Sequence, residues 1–431
     1  MNDDKKIAVI GLGYVGLSVA VAFGKHFNTY GFDLNKTRIS ELEKGIDNNL
    51  ELTKQQILNS KMLKFTSSLE DIKHFDFYII SVPTPVDCNK IPDLTLLKKA
   101  SYQIGKVLKN GSIVIYESTV FPGATEEICV PILENESKLK FNKNFFCGYS
   151  PERVNPGDKT NDLPNVKKIT SGSDYKTAEV VDNLYKVIIK AGTFKAKSIK
   201  IAEAAKVIEN SQRDLNIAFV NELSLIFNKM NIDTSAVLEA AGSKWNFQLF
   251  KPGMVGGHCI GVDPYYLTYK AKELGYDPDV ILAGRKINDN MATYAGQEII
   301  KKLLNMKVNI LKSKIAIFGI TFKENCPDIR NTKVIDLINE LLSWGTKVDV
   351  FDPWAEPKAV RKELGINLKK NLNLSSYDAV VVAVGHKQFR DISPKYYLKF
   401  FKNKNKLFIA DLKSLYSKEM CEGLGYNIYR L

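Results

Sequence analysis

The sequence predicts an α/β protein built as two doubly wound domains joined by a long central helix. Three observations predict it. Short, nearly continuous apolar runs alternate with helix-like stretches through the first half of the chain. A helical stretch without Gly or Pro follows over 201–230, and the first pattern then returns to the end. Parallel strands covered by helices on both faces read as such unbroken apolar runs, and 431 residues suit two or three domains of roughly 100–200 residues each.

In the first half the strands are expected at Lys6–Ile10, Thr29–Phe32, Phe75–Val82, Ser112–Glu117 and Asn144–Tyr149, all rich in Val, Ile, Phe and Tyr. From Ile201 to Met230 the apolar positions Ala204, Ile208, Leu215, Phe219, Leu223 and Phe227 recur at three- and four-residue steps, which is the helical period. Such a helix bridges domains or makes a subunit contact, and more helical sequence runs to about Lys302. Beyond it, Lys314–Gly319 echoes Lys6–Gly11, Val348–Asp352 echoes Thr29–Asp33, and Asp378–Val384 echoes Asp76–Val82. The expected divisions are 1–198, 199–302 and 303–431. Ligands are expected at the carboxyl ends of the strands, in the cleft between the two folds.

Composition narrows the class. Hydrophobic residues at 45% and charged residues at 25% exclude a disordered, collagenous or disulfide-stapled chain. No apolar stretch approaches the ~18 residues of a membrane span, and because Met1–Lys6 enters a strand-like run directly, no signal peptide is expected. A cytoplasmic protein without a membrane partner is expected. Cys88, Cys129, Cys147, Cys259, Cys326 and Cys421 contain no CxxC pair, and the four histidines are equally dispersed, so no structural metal is expected. Lys+Arg at 61 against Asp+Glu at 48 gives a net charge of +13, spread along the chain rather than massed in one segment. That distribution fits a solvated surface or an anionic small ligand better than nucleic acid.

Gly11-Leu12-Gly13-Tyr14-Val15-Gly16 follows the first strand and opens a helix, and Asp33 ends the next strand. In that context GxGxxG marks a Rossmann-like dinucleotide site: the glycines admit the pyrophosphate at a helix N-terminus and the acid takes the ribose hydroxyls. Gly11, Gly13, Val15, Gly16 and Asp33 are therefore cofactor candidates. An acid there repels a 2′-phosphate, which favours NAD over NADP. Arg38 either reaches adenine or phosphate, or is a solvated helix residue. Ser81–Pro85, with Thr84, and Glu117–Gly123, with Thr119, end two further strands where they can line the cofactor site. The charged loop Ser150–Gly157, with Glu152 and Arg153, ends the last strand of this sheet.

Lys251–Pro264 (KPGMVGGHCIGVDP) holds four glycines and two prolines around one thiol, so it is a loop. Cys259 flanked by backbone amides, His258 and Asp263 has the surroundings of a nucleophile, or is a packed inert cysteine. On the long helix Lys206 and Asn210 stand four residues apart on one face, where an ammonium and a carboxamide can hold an oxyanion; Glu209 and Arg213 read as a helix ion pair. In the second fold Phe322–Arg330 takes the place of the glycine turn but carries Lys323 and Arg330, which suits a nucleotide diphosphate better than a second NAD.

Taken together, GLGYVGL, SVPTP, ESTVFPG, SPER, the Lys206/Asn210 helix, GGHCIGVDPYYL, FGITFK and FDP resemble, in order and over essentially the whole chain, the UDP-glucose/GDP-mannose dehydrogenase family. SPERVNPGD and VGGHCIGVDPYYL are most similar to its bacterial branch acting on UDP-N-acetylhexosamines, which supplies uronic acids for capsule and O-antigen. The resemblance implies a four-electron oxidation at C6 with two NAD⁺, in which Cys259 captures the aldehyde and carries a thioester to hydrolysis. It implies that Lys206 and Asn210 stabilise oxyanions, and that Asp263, Glu152 and Thr119 handle water. Lys323, Arg153, Phe247, Lys251 and Gly256 would line the UDP-sugar, and Arg330 would reach the cofactor. A homodimer is also implied. Val262 and Pro156 stand where relatives acting on UDP-glucose carry lysine and glutamate, which favours another sugar.

Competing readings explain less. A single-step β-hydroxyacid dehydrogenase needs neither the thiol nor Lys314–Leu431. The YxxxK of Tyr266–Lys270 suggests a short-chain dehydrogenase, but the glycine spacing is wrong for one. A non-enzymatic NAD-responsive or nucleic-acid-binding protein would use the +13 charge, and salt-dependent DNA retention without sugar-nucleotide binding would mark it.

Overall fold

The computed structural model describes residues 5–49, 51–154 and 162–431. Met1–Asp4 and the Asn155–Asp158 end of the SPERVNPGD stretch, Pro156 included, lie outside the described residues. The chain forms two compact units, one of residues 1–209 and 265–277, the other of 210–264 and 278–431.

In the first unit β1 (Lys6–Ile10), β2 (Asn28–Phe32), β3 (Leu63–Thr66), β4 (Phe77–Ile80), β5 (Ile113–Tyr116) and β6 (Phe146–Tyr149) form one sheet in the order β3-β2-β1-β4-β5-β6. Every pairing in it is parallel. All four residues of β4 and of β5 are buried, as strands covered on both faces must be. Ile7, Val9, Leu17, Phe23, Ile79, Ile115 and Leu184 make the core on one side. Strand order reverses between β1 and β4, the switch point where a doubly wound sheet opens a crevice at its carboxyl edge. β3 escaped the sequence reading because Leu63-Lys64-Phe65-Thr66 is a four-residue edge strand with only one buried position. Beyond β6 a separate parallel pair, β7 (Lys168–Thr170) and β8 (Thr193–Lys195), adds strands the sequence reading did not anticipate.

The second unit carries β9 (Lys314–Phe318), β10 (Lys347–Phe351), β11 (Ala379–Val382), β12 (Leu407–Asp411) and β13 (Tyr426–Arg430), all parallel in the order β10-β9-β11-β12-β13. Its switch point lies between β9 and β11. One face packs on the helices Asp279–Asn305 and Val334–Ser343 through Ile299, Leu303, Leu337 and Leu341. The other face gathers aromatic rings around Phe318, with Phe389, Tyr397 and Phe400 meeting it edge-on.

The predicted long helix spans Ile199–Met230. Ser198 starts it, its Oγ accepting the amide of Ile201 at 3.2 Å. Asn231, at φ +56°, ends it in the left-handed conformation that asparagine tolerates. Early on the helix Glu203 is fully buried and accepts the amides of Gly123 (2.6 Å) and Thr125 (2.9 Å), which fixes the turn after β5. Among the described residues no helix is long and apolar enough to cross a membrane.

Burial pushes the Glu203 carboxyl up to about 7, although hydrogen bonds from Thr125 and Gly123 oppose the shift. The unfolded chain ionises near the ordinary 4.5 while the folded chain keeps its proton to about 7, so stability falls as pH rises through that window and is level above it. Thermal melts between pH 4 and 8 should show this decline, worth about 3 kcal/mol at ~1.4 kcal/mol per unit. Glu203→Gln should remove it, and equal slopes in the two proteins would refute the assignment.

Candidate active site

The turn after β1 is shaped by close approach. Gly11 sits at φ +89°, and a Cβ there would lie 2.8 Å from the Ser81 carbonyl oxygen. A Cβ on Gly16 would come to 1.8 Å from the Gly11 carbonyl, so the helix Tyr14–Phe23 can pack here only without a side chain. Gly13 differs: a Cβ on it meets nothing within 4 Å. It stands exposed as the N-cap, with no side-chain cap on the helix amides. A diphosphate belongs at such a position, against open amides at the positive end of the helix dipole, so the residues present fit NAD. Val15 lies half-buried in the first turn.

Asp33, just past β2, accepts the amide of Leu12 through Oδ2 and that of Asn35 through Oδ1, each at 2.9 Å. It thereby ties the glycine turn to the second strand and keeps a half-exposed carboxylate at the crevice. Arg38 is not a solvated helix residue. Its Nε donates to the Leu12 carbonyl at 3.2 Å and its Nη2 meets the buried carboxylate of Asp47 at 2.7 Å, so it braces the same turn from behind.

The loops after β4 and β5 are laced together. Thr84 Oγ1 donates to the Thr119 carbonyl and Ser118 Oγ to the Val82 carbonyl, both at 2.7 Å, while Tyr266 donates to the Thr84 carbonyl at 2.8 Å. Glu152, after β6, turns Oε1 back onto the amides of Arg153 and Val154. Behind it lies a buried ionic group: Lys168 Nζ is 2.8 Å from Glu117 Oε2 and 3.9 Å from Glu152 Oε2, and Tyr185 donates to Glu117 Oε1 at 2.5 Å. Burial raises the Glu117 carboxyl, and Lys168 offsets only part of the shift. Arg153 gives its guanidinium to both oxygens of Glu209 (Nε at 3.2 Å, Nη2 at 2.9 Å) and to the Lys167 carbonyl at 2.6 Å. Glu209, expected to pair along its helix with Arg213, is engaged by Arg153, because the loop reaches it with a forked donor.

Of the loop predicted over Lys251–Pro264, residues 251–262 are irregular backbone, while its last two residues, Asp263 and Pro264, instead open the helix Asp263–Glu273, where proline is tolerated in the first turn. The carbonyl of Cys259 accepts the amides of Val262 (3.1 Å) and Asp263 (2.8 Å), which sets the half-buried cysteine in the turn leading into that helix. Asp263 is buried, and Asn210 donates to its Oδ2 at 2.5 Å. Lys206 is buried one turn before Asn210 on the long helix. Gly256 and Gly257 lie against the loop after β9: Gly257 and Asn331 exchange two hydrogen bonds, each 3.3 Å. A Cβ on Gly256 would meet the Asn331 carbonyl oxygen at 2.7 Å. Phe247 is half-buried and Lys251 exposed at the approach to this loop.

The loop after β9 carries half-buried Lys323 and exposed Arg330. Asp328 holds Arg330 through both oxygens, with Nη2 at 2.6 Å, and faces His258 Nε2 at 3.4 Å. Burial works to raise the Asp328 carboxyl, but His258 and Arg330 hold it well below the usual range. Two groups here escaped the sequence reading. His386, fully buried, accepts the Asn325 amide at Nδ1 (2.9 Å) and contacts Asp352 at Nε2 (3.1 Å), which fixes the loop carrying Lys323. Lys413 places its ammonium 3.7 Å from where a Cβ on Gly253 would lie, and burial lowers its pKa. The cue in the sequence was positional: His386 follows the end of β11, beside the switch point, and Lys413 follows the end of β12, one strand further out. Among the described residues no group of three or more His, Cys, Asp or Glu can hold a metal.

A sheet that offers open amides and a ribose-seeking acid, in a chain with a second nucleotide-type sheet and a cysteine loop, defines a nicotinamide-dependent dehydrogenase of nucleotide-linked substrates. Comparison with known proteins agrees. The NAD binding domain of the UDP-glucose/GDP-mannose dehydrogenase family matches residues 5–189, its central domain 200–290 and its UDP binding domain 316–418. The chain belongs to that family and is an NAD-dependent nucleotide-sugar dehydrogenase. It is 57% identical over 97% of its length, and 98% of the relative's, to a UDP-N-acetyl-D-glucosamine 6-dehydrogenase of Salmonella typhi. It is 54% identical over 96% of its length to a protein of the same name from Pseudomonas aeruginosa, covering 98% of it. Among solved structures, a UDP-D-ManNAc dehydrogenase from Pyrococcus horikoshii superposes with a TM-score of 0.89 at 27% identity, covering 99% of this chain and 98% of that one.

The glycine turn yields a contrast. Gly13→Ala should leave the melting temperature within about 2 °C of the parent and weaken NAD binding at least tenfold, because its methyl enters only ligand space. Gly16→Ala should lower the melting temperature by more than 5 °C through the clash with Gly11. Calorimetry and NAD titration of both variants check this, and unchanged NAD affinity in Gly13→Ala would rule out a diphosphate at that turn.

Proposed function

We propose that the chain oxidises C6 of a UDP-N-acetylhexosamine, UDP-N-acetyl-D-glucosamine first among them, to the uronic acid for surface polysaccharide synthesis in the cytoplasm. The observation that carries the sugar is the end-to-end likeness to the Salmonella protein of that name. The chemistry rests on Cys259 in an irregular loop whose following aspartate is held by Asn210. NAD, when bound, takes up the hydride at each of two oxidations. The chain's own groups do the rest. Lys206 and Asn210 stabilise the C6 alkoxide, whose proton leaves to solvent. The Cys259 sulfur then adds to the aldehyde carbon, forming a C–S bond and an oxyanion that the same two side chains hold. Loss of the second hydride leaves a thioester. Glu152, Thr119 and Asp263 orient and deprotonate water, whose oxygen bonds to C6 as the C–S bond breaks and the thiolate is restored. The sum is alcohol, two NAD⁺ and water giving carboxylate, two NADH and three protons.

Lys323, Arg153, Phe247, Lys251 and Gly256 are assigned to the sugar nucleotide, and Arg330 and Thr84 to the cofactor. A homodimer through the long helix fits its exposed apolar residues Ile208, Phe219, Ile226 and Met230, which share one stripe at eleven-, seven- and four-residue spacing.

Purified protein should form two NADH per UDP-N-acetyl-D-glucosamine consumed. It should prefer that sugar to UDP-GalNAc, UDP-ManNAc and UDP-glucose in a side-by-side assay, where faster turnover of UDP-glucose would overturn the assignment. Cys259→Ser should lose at least 10³-fold in kcat while binding NAD normally; full turnover would remove the covalent route. Light scattering should give twice the chain mass of 48.5 kDa, and an active monomer would remove the dimer.

A further inference from the structure

Asn221 is fully buried on the long helix and does with one side chain what a neighbouring peptide group would do. Its Oδ1 accepts the amide of Gly253 at 2.8 Å and its Nδ2 donates to the Gly253 carbonyl at 3.0 Å. The second Nδ2 hydrogen goes to Asn288 Oδ1 at 2.8 Å. Asn288, also fully buried, spends its own two amide hydrogens on the carbonyl (2.9 Å) and Oδ1 (2.7 Å) of Asp214. Each amide can therefore point only one way. Asp214 Oδ1 also takes Arg285 Nη1 at 2.6 Å, and Arg285 continues to Asp289 at 2.5 Å. The charged end of Arg285 comes within 4.0 Å of a Cβ position on Gly261, two residues past the thiol.

Gly253 and Asp263 bracket Cys259, and both are held from the same helix, by Asn221 and Asn210 respectively. Those two asparagines are eleven residues apart, or about 16 Å along the axis at ~1.5 Å per residue. A loop of ten peptide links can extend to roughly 33 Å, so its own chain length does not fix the arch, and the two anchors do. Only a carboxamide of this length supplies one acceptor and two donors in a plane: Asp lacks the donors, Leu lacks both kinds of group, and Gln is one methylene too long.

We propose that Asn221, backed by Asn288, Asp214 and Arg285, is a positioning residue that sets where the Cys259 thiol stands for capture of the aldehyde. The proposal rests on the covalent role of Cys259, so its test separates the two. In Asn221→Ser, NAD affinity should change less than twofold and KM for the UDP-sugar less than threefold. The kcat for complete oxidation should fall ten- to a hundredfold, the scale of a displacement of about 1 Å. NADH formed per sugar should drop toward one, with the aldehyde recoverable by a carbonyl-trapping reagent. Alkylation of Cys259 by iodoacetamide, followed by peptide mass spectrometry without substrate, should change at least fivefold, while exposed Cys88 serves as the unchanged internal control. Asn288→Ala, which keeps the Asn221 fork and removes its support, should show smaller changes of the same kind and carries the test if Asn221→Ser does not fold. Folded variants with parental kcat and parental alkylation of Cys259 would overturn the proposal. Altered alkylation together with full turnover by Cys259→Ser would keep the positioning and sink the covalent mechanism instead.

Discussion

The second unit depends on one constraint: an irregular loop rich in glycine is held at fixed points along its length. Backbone without regular structure cannot be held so by its own hydrogen bonds, because its amides and carbonyls have no ladder partners. Here the long helix supplies them. Asn210 meets Asp263, Asn221 meets Gly253, and from the loop after β9 Asn331 meets Gly257. A helix serves well as such a reference because its rise per residue is fixed. The absence of Gly and Pro across Ile199–Met230 therefore matters to the loop as much as to the helix itself.

The two sheets show how one pattern diverges. In both, the acid after the second strand accepts the amide that follows the first strand's terminal glycine: Asp33 takes Leu12 at 2.9 Å, and Asp352 takes Ile320 at 2.6 Å. Asp33 remains half-exposed, as the ribose role proposed for it requires. Asp352 is capped by His386 and also accepts the amides of Trp354 and Ala355, so its side chain is wholly buried. The second acid is a structural fastener, and in that unit the proposed recognition of the sugar nucleotide falls to side chains on the loops, Lys323 among them.

Most of the first sheet was legible because its strands are buried on both faces and therefore apolar throughout. The glycine turn, the long helix and the irregular thiol loop were legible for equally local reasons: φ sign, periodicity and the density of Gly and Pro. What was not legible is short or non-local. β3 exposes too much to stand out, and β12 and β13 lie beyond the last echo of the first fold. Asp214, Asn221, Arg285 and Asn288 form no motif, since their partners lie up to 74 residues away. Their trace is faint but physical: Asp214 and Asn221 fall four and eleven residues after Asn210, on the same helical face, among apolar neighbours. Arg38 and Arg153 show the converse limit. A sequence gives their charge but not that Asp47 and Glu209 engage them.

Buried ion pairs are poor devices for stability, because removing two charges from water costs about as much as their attraction returns. Two of the best-buried pairs, Lys168–Glu117 and Arg285–Asp214, nonetheless stand directly behind loops that carry candidate catalytic groups. Apolar replacements could fill the same volume, but they could not reach forward to Glu152, as Lys168 does at 3.9 Å, or orient an amide chain ending on Gly253, as Asp214 does through Asn288. In both places burial raises the carboxyl's pKa against the pull of its cation, so each charge is held at some cost in stability. The capture on sulfur proposed for Cys259 needs such direction more than it needs a tighter core, since a nucleophile displaced by about 1 Å forfeits most of what proximity provides.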